Sequence, residues 1–124
     1  MNDITMSDQI FLIQSRAVEQ AASKGPCVIV GRCADYVLAE REDVLKVFIA
    51  GDMANRKKRA VQYYEVDERD VEASLRKIDR NRSGYYDYYT DKKWGAADSY
   101  DVCLNSSVFG IDGCVEILKK MIES

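Results

Sequence analysis

This sequence contains no histidine, only one proline, and no apolar run longer than a few residues. Without histidine, Ser-His and Cys-His nucleophilic catalysis are excluded, and a zinc site would need an unusual set of ligands. The short apolar runs exclude a membrane-spanning helix, and residues 1–7 lack the charged-then-apolar layout of a signal peptide. We therefore expect a cytoplasmic protein that has no membrane partner.

Cysteine is present, but not in a spacing typical of a metal site. The four cysteines are Cys27, Cys33, Cys103 and Cys114, and no two of them form a C-x-x-C pair. We therefore expect free buried thiols and no metal centre. Lys and Arg number 18 against 21 Asp and Glu, and the net charge of −3 does not favour bulk binding of nucleic acid. The 124 residues suit a single domain, residues 1–124.

Apolar periodicity predicts helices that alternate with short strands. A helix is expected over residues 8–24, with Ser7 as its N-cap and Gly25-Pro26 at its end. Strands are expected at residues 27–30, 44–50 and 100–105. Further helices are expected at residues 34–41, at 52–65 after an Asp52 N-cap, from 67 toward the tyrosines, and after an Asp112 N-cap. This order predicts an α/β fold, a three-layer parallel sheet with flanking helices.

Arginines follow two of the predicted strands. Ligands of parallel α/β sheets bind beyond the carboxyl ends of the strands, and Arg32 comes directly after the strand at 27–30. Arg56 and Arg59 lie three residues apart on the helix that follows the strand at 44–50, so both can reach one anion. The alternative for these two residues is an ordinary solvated charged face.

The segment "RKIDRNR", residues 76–82, places four basic residues around Asp79. Helical spacing puts Arg76, Asp79 and Arg80 within one face, whereas Arg82 continues the line of Val71, Leu75 and Ile78, which is expected to face the core. An inward arginine must be paired with a carboxylate or directed at a ligand, because an unpaired buried charge is costly. Both possibilities remain open at this point.

Four tyrosines, two lysines and a tryptophan follow in "SGYYDYYTDKKWG", residues 83–95. Such a segment can stack on the bases of a single-stranded nucleic acid, cover a site as a mobile lid with Gly84 and Gly95 as flexible points, or pack as ordinary core and surface tyrosines. Arginines from three segments, with no histidine, suit phosphoryl transfer, which requires mainly positioning and charge neutralisation.

Four stretches together resemble the cytidylate kinase-like family of P-loop nucleoside monophosphate kinases: "CVIVGRCADYVL", "VLKVFIAGDMANRKKR", "KIDRNRSGYYDYYTDKKWG" and "YDVCLNSS". The resemblance implies a P-loop nucleoside monophosphate kinase-like fold with a lid-like segment at about 66–95. It also implies phosphoryl transfer from ATP, with Mg²⁺, to CMP or a related monophosphate.

Matching positions acquire expected roles from this resemblance. Arg32 would contact the nucleoside monophosphate, although Cys33 replaces the carboxylate of the family's Gly-Arg-Asp motif and so weakens any inference of cytosine specificity. Arg56 and Arg59 would contact the phosphate, and Asp79 would contact the sugar. Arg80 and Arg82 resemble the lid-side catalytic arginines.

One family motif is missing from the sequence. The phosphate-loop pattern G-x-x-x-x-G-K-[ST] does not occur, so ATP has no evident donor site, and we expect a truncated relative that is inactive alone.

Without the family's first strand, the sheet would have open inner edges. These edges would close on each other, accept "DITM" at residues 3–6, or pair with another chain by homodimerisation or strand exchange. The alternative function is therefore a non-catalytic module that binds a nucleotide, a phosphorylated partner or a second copy of itself. Nucleic acid is the least favoured partner.

Overall fold

The chain contains five α-helices and two short strands among the described residues, so it is mixed α/β but does not alternate as regularly as the apolar pattern predicts. The computed structural model describes residues 5–123, and its mixed α/β architecture contains α1 (Met6–Ser23), α2 (Ala34–Val37), β1 (Val47–Ala50), α3 (Met53–Tyr64), α4 (Val71–Tyr89), β2 (Val102–Asn105) and α5 (Ser106–Glu123). A short 3₁₀ turn, Ala97–Ser99, precedes β2. The chain divides into two compact units, Met1–Val44 and Leu45–Ser124. No helix between residues 5 and 123 is long and apolar enough to cross a membrane.

The N-terminal unit is organised around α1. Its N-cap is Thr5, whose hydroxyl accepts a hydrogen bond from the Asp8 amide at 3.1 Å. The expected cap, Ser7, lies inside the helix, because the threonine two residues earlier already satisfies an amide of the first turn. Of "DITM", residues 3 and 4 lie outside the described residues, and Thr5 and Met6 start α1. Val18 of α1 is the centre of a small core that also contains Ala34 and Leu38.

The strand expected at residues 27–30 is not formed. Among the described residues this segment has no regular secondary structure, with Val28 91% and Val30 84% exposed. Ile29 alone of the three packs against the Val18 core. The reason is physical: a strand needs a neighbouring strand to satisfy its amides and carbonyls, and none pairs with this segment. The prediction of three parallel strands was therefore wrong for the first of them.

The C-terminal unit contains the two strands that do form. β1 and β2 are parallel, with Val47 opposite Val102 and Ala50 opposite Asn105. The Asp101 carboxylate accepts the Lys46 amide at 2.8 Å and so anchors the start of the pair. Among the described residues, β1 has β2 on one edge and no strand on the other. The open edge predicted beside β1 is thus present in this part of the chain.

Helices α3 and α5 begin directly after the strands. Asp52 is the N-cap of α3, as predicted, and its carboxylate accepts the Asn55 amide at 2.8 Å. α5 starts at Ser106 rather than after an Asp112 cap, and it is kinked at Gly110, whose φ of 72° is left-handed. Asp112 lies in the first turn beyond this kink. A glycine permits the kink because this conformation is disfavoured for residues with a Cβ.

Helix α4 extends beyond Val71, Leu75 and Ile78, the apolar residues on which its prediction rested. Val71, at its start, is 2% exposed, and Leu75 is half-buried. Beyond them Ile78 is 43% exposed and Arg82 is also exposed. The expectation that Arg82 faces the core was therefore wrong, because Ile78 and Arg82 lie in an exposed middle part of α4, between the buried Val71 and the buried Tyr86.

An aromatic cluster joins the end of α4 to the sheet. The Phe48 ring lies 5.2 Å from Trp94 edge-on and 5.0 Å from Tyr100, and buried Tyr86 stacks on Tyr100 at 6.3 Å. Gly84 lies within α4 instead of at a turn. Several rings of residues 83–95 are therefore used in packing; that this segment moves as a lid stays a prediction.

Candidate functional site

The carboxyl ends of β1 and β2 are connected through two consecutive serines. Ser106, directly after β2, donates its hydroxyl hydrogen bond to the Ala50 carbonyl at 2.8 Å. Ser107 accepts the Asp52 amide at 2.8 Å. Together they fix the turn between β1 and α3 and therefore the direction in which α3 leaves the sheet. Sequence reasoning missed this contact, although "NSS" directly after an apolar strand was the available signal.

Arg59 reaches the same turn from the second turn of α3. Its Nη2 lies 3.4 Å from the Ser106 hydroxyl, a weakly formed hydrogen bond. The space around Gly51 is closed by these groups: a Cβ added there would lie 3.0 Å from Ser106 Oγ and 3.1 Å from Arg59 Nη2. Gly51 therefore permits the close approach of the arginine and serine side chains to the backbone of the turn.

Exchanging glycine for alanine at two positions tests this packing. We expect Gly51→Ala to lower the free energy of unfolding by about 1–2 kcal/mol, because the new methyl group displaces Ser106 and Arg59. Gly84→Ala is the matched control, since a Cβ there meets nothing within 4 Å. In a helix interior it should raise that free energy by about 0.5–1 kcal/mol. Urea denaturation of the two variants checks both signs, and equal effects would contradict the packing described.

The clearest charged contact is the ion pair between Arg56 of α3 and Asp79 of α4. Arg56 Nη1 donates to Asp79 Oδ2 at 2.8 Å, and Nη2 donates to Oδ1 at 2.7 Å. Both side chains are partly shielded, with 24% and 27% of their surfaces exposed. The two-fold fork fixes the guanidinium plane relative to both helices. Asp79 therefore pairs with a basic side chain of another helix and not with one of the four basic residues around it in residues 76–82.

A second set of charges lies next to this pair and is exposed. Glu72 accepts from Lys57 Nζ at 3.2 Å and lies 3.5 Å from Arg76 Nε. The Lys57 hydrogen bond, with the charges of Lys57 and Arg76, holds the pKa of Glu72 below its ordinary value. Arg76 thus pairs along its own helix and not with Asp79.

Arg80 and Arg82 differ from Arg56. Both are exposed on α4, and within residues 5–123 neither makes an ion pair or a side-chain hydrogen bond. The structure therefore brings together Arg56, Arg59 and Asp79 around the start of α3, while the two lid-side arginines project into solvent.

Arg32 belongs to the N-terminal unit, in a left-handed turn of three residues. Gly31, Arg32 and Cys33 have φ values of 69°, 62° and 54°. Two consecutive non-glycine residues in this region are energetically costly, and such costs concentrate at functional positions. The turn leaves Arg32 exposed while it buries the Cys33 side chain.

Burial distinguishes the four cysteines chemically. Cys33 and Cys114 are buried, whereas Cys27 and Cys103 are exposed. Burial, with the nearby negative charge of Asp35, raises the pKa of the Cys33 thiol to about 11. All four are free thiols, as predicted, but the expectation that they are buried was wrong for Cys27 and Cys103.

Alkylation with iodoacetamide at pH 8, followed by intact-mass measurement, checks this difference. We expect two adducts to form rapidly, at Cys27 and Cys103, and the other two only after denaturant is added, because the thiolate is the reacting species. Cys27→Ser should remove one rapid adduct. A rapid adduct mapped to Cys33 would contradict its burial.

The described residues do not fit the binding of ATP and Mg²⁺, for two reasons. The phosphate-loop pattern is absent from the sequence. In the described part of the chain, His, Cys, Asp and Glu side chains form no group of three that could hold a metal ion. We therefore derive no step through ATP or Mg²⁺ from these residues.

Ligands of parallel α/β sheets bind beyond the carboxyl ends of the strands, and the arginine-bearing helix α3 begins at that end of β1. Comparison with known families agrees: the chain belongs to the cytidylate kinase-like family, whose model matches residues 1–108. The match covers both arginine-bearing turns and the whole of α4. No curated protein matches this chain.

A solved structure supports the fold. A crystal structure of an uncharacterized protein from Eubacterium ventriosum is 29% identical and matches with a TM-score of 0.88. The match covers 98% of this chain and 77% of that chain. Membership of the cytidylate kinase-like family thus supports the conclusion that this chain is a kinase-like protein.

Proposed function

We propose that this chain binds a nucleoside monophosphate, CMP or a close relative, through the arginines of α3, and that it is a single domain of P-loop nucleoside monophosphate kinase-like fold. The observation that supports this most strongly is the Arg56–Asp79 fork, with Arg59 one turn further along α3. Membership of the cytidylate kinase-like family supplies the class of substrate.

The charge of α3 suits a phosphate. Four consecutive basic residues, Arg56, Lys57, Lys58 and Arg59, lie in its first two turns. The amino-terminal end of a helix is itself positive, so the two contributions add. Two N–H groups of Arg56 are used by Asp79, and a guanidinium has five in all, so donors remain for a phosphate oxygen.

Asp79 then has a positioning role as well as its proposed sugar contact. It holds the Arg56 plane in one orientation, so little side-chain entropy is lost when a phosphate binds. The other proposed residues are Arg32 as a further monophosphate contact, and Arg80 and Arg82 as transition-state contacts from a lid over residues 66–95. Those two arginines are exposed, as residues that bind only after lid closure would be.

In phosphoryl transfer these residues would contribute charge neutralisation and orientation. Arginine forks neutralise the acceptor phosphate and bring its oxygen into line for attack. ATP with Mg²⁺ supplies the transferred phosphoryl group in the family. Because the phosphate-loop pattern is absent, we propose that this chain binds the acceptor but does not catalyse transfer alone.

Calorimetry on the intact chain tests the binding proposal. CMP, dCMP, AMP and UMP are titrated in parallel with cytidine, which lacks the phosphate. We expect at least one monophosphate to bind and cytidine to bind at least about tenfold more weakly, because the charged contact is lost. Equal affinity for CMP and cytidine, or no binding by a folded sample, would refute the proposal. In a coupled assay with ATP and Mg²⁺ we expect no turnover, and robust turnover would refute the claim about catalysis.

A further inference from the structure

Helix α5 carries an apolar stripe on its outer side. Ile111, Val115, Leu118 and Ile122 follow one another at intervals of four, three and four residues, so they lie within an arc of about 60° on one face. Ile111 is 54%, Val115 46% and Ile122 70% exposed, and Leu118 is half-buried. A different face of α5, with buried Cys114, packs on β2. An ordered apolar stripe on this scale is typical of an interaction surface.

Charges along one side of this stripe indicate the partner. Asp112 lies near the start of the stripe and Lys119 near its end, and in projection both lie on the same flank, about 20° apart. When two such helices pair antiparallel about a two-fold axis between Val115 and Leu118, like flanks face each other. Asp112 of one copy is then within about 3 Å, measured along the helix axis, of Lys119 of the other copy, and the reverse pair forms equally.

Between residues 5 and 123, neither Asp112 nor Lys119 makes a close ion pair. Lys119 makes a 3.8 Å contact with Glu116 three residues earlier, and both side chains are more than half exposed. Such a contact contributes little and does not hold Lys119 in place. The flank of the stripe is therefore self-complementary in charge.

From this we propose that α5 is a homodimer interface: a second copy of this chain packs antiparallel on the stripe and forms two reciprocal Asp112–Lys119 ion pairs. This surface lies on α5 and differs from strand exchange at the β1 edge. It does not depend on nucleotide binding.

Helix α1 offers a comparison within the same chain. It also exposes apolar residues at helical spacing, namely Met6, Ile10 and Ile13. The flank beside them carries Gln9 and Arg16, with no acidic residue to pair with the arginine of a second copy. The charge argument therefore selects α5, and α1 provides the matched control.

Sedimentation velocity over a range of protein concentrations tests the proposal. The intact chain should sediment as a dimer at concentrations of about 100 μM and dissociate on dilution. Val115→Asp should raise the dimer dissociation constant at least about 100-fold, because it places two carboxylates in the apolar contact. Ile13→Asp should leave the dissociation constant unchanged. A monomer at every concentration, or equal effects of the two substitutions, would overturn the proposal.

A charge exchange identifies the geometry. Asp112→Lys and Lys119→Glu should each raise the dissociation constant about tenfold, since each makes both symmetric pairs repulsive. The double variant should return to within about threefold of the original value, because both pairs form again with reversed signs. Melting temperatures of all variants monitor folding. A double variant whose dissociation constant is raised by the product of the two single effects would overturn the antiparallel arrangement.

Discussion

Replacing Arg56 with alanine should weaken CMP binding about 100-fold, because two charge-assisted hydrogen bonds to the phosphate are lost. The same substitution leaves Asp79 without its partner and removes one of the contacts between α3 and α4, so the free energy of unfolding should also fall by about 1–2 kcal/mol. Calorimetry measures the first effect and urea denaturation the second. Arg56→Lys keeps the charge but not the fork, and it should lose only about tenfold in affinity.

Arg41 provides the control for this prediction. It also makes a two-fold fork, with Nε 2.9 Å and Nη2 2.8 Å from the Asp43 carboxylate oxygens, but that pair is exposed and only two residues apart. Arg41→Ala should change neither CMP affinity nor unfolding measurably. Equal loss of affinity in Arg41→Ala and Arg56→Ala would show that general positive charge, and not the α3 site, attracts the nucleotide.

Arg32→Ala should weaken CMP binding about 100-fold, while the free energy of unfolding stays within about 0.5 kcal/mol of the parent. The side chain is exposed, so its removal costs the fold little. Arg32→Gly sharpens the test, because glycine adopts the left-handed φ of 62° without penalty. That variant should be as stable as the parent and should bind CMP as weakly as Arg32→Ala does.

The control for Arg32 is another exposed arginine of the same unit. Arg16 lies on α1, and Arg16→Ala should leave CMP affinity unchanged. If Arg32→Ala binds CMP as tightly as the parent does, Arg32 is no acceptor contact, and the left-handed turn at residues 31–33 needs a purely structural explanation.

Local signals predicted much of the fold correctly. Gly25-Pro26 ended α1, Asp52 capped α3, and the apolar runs at 44–50 and 100–105 contained β1 and β2. Each of these features depends on residues within one turn or one strand. The strand predicted at residues 27–30 did not form because a strand depends on a partner that is distant in sequence. Apolar β-branched residues predict a strand only where another strand is available to pair with them.

The site was predictable in its residue types but not in its pairing. Spacing indicated Arg56 and Arg59 as neighbours on α3, and the structure places them so. The contact of Arg56 with Asp79 joins residues 23 positions apart, and that of Ser106 with Ala50 joins residues 56 apart. Neither has a periodic signal, because such contacts are set by how α3, α4 and β2 pack. Arg82 shows the same limit: helical periodicity gives the face of a residue but not which part of that face a neighbouring element covers.

The most direct test of the account is a CMP titration of the ¹⁵N-labelled intact chain followed by amide and arginine Nε–H NMR signals. We predict that the largest shifts occur at the amides of residues 51–59 and at the side chain of Arg56, while residues 111–122 are unaffected by the nucleotide. Shifts confined to the aromatic segment 83–95, or none at millimolar CMP, would contradict the proposal that α3 holds the acceptor phosphate.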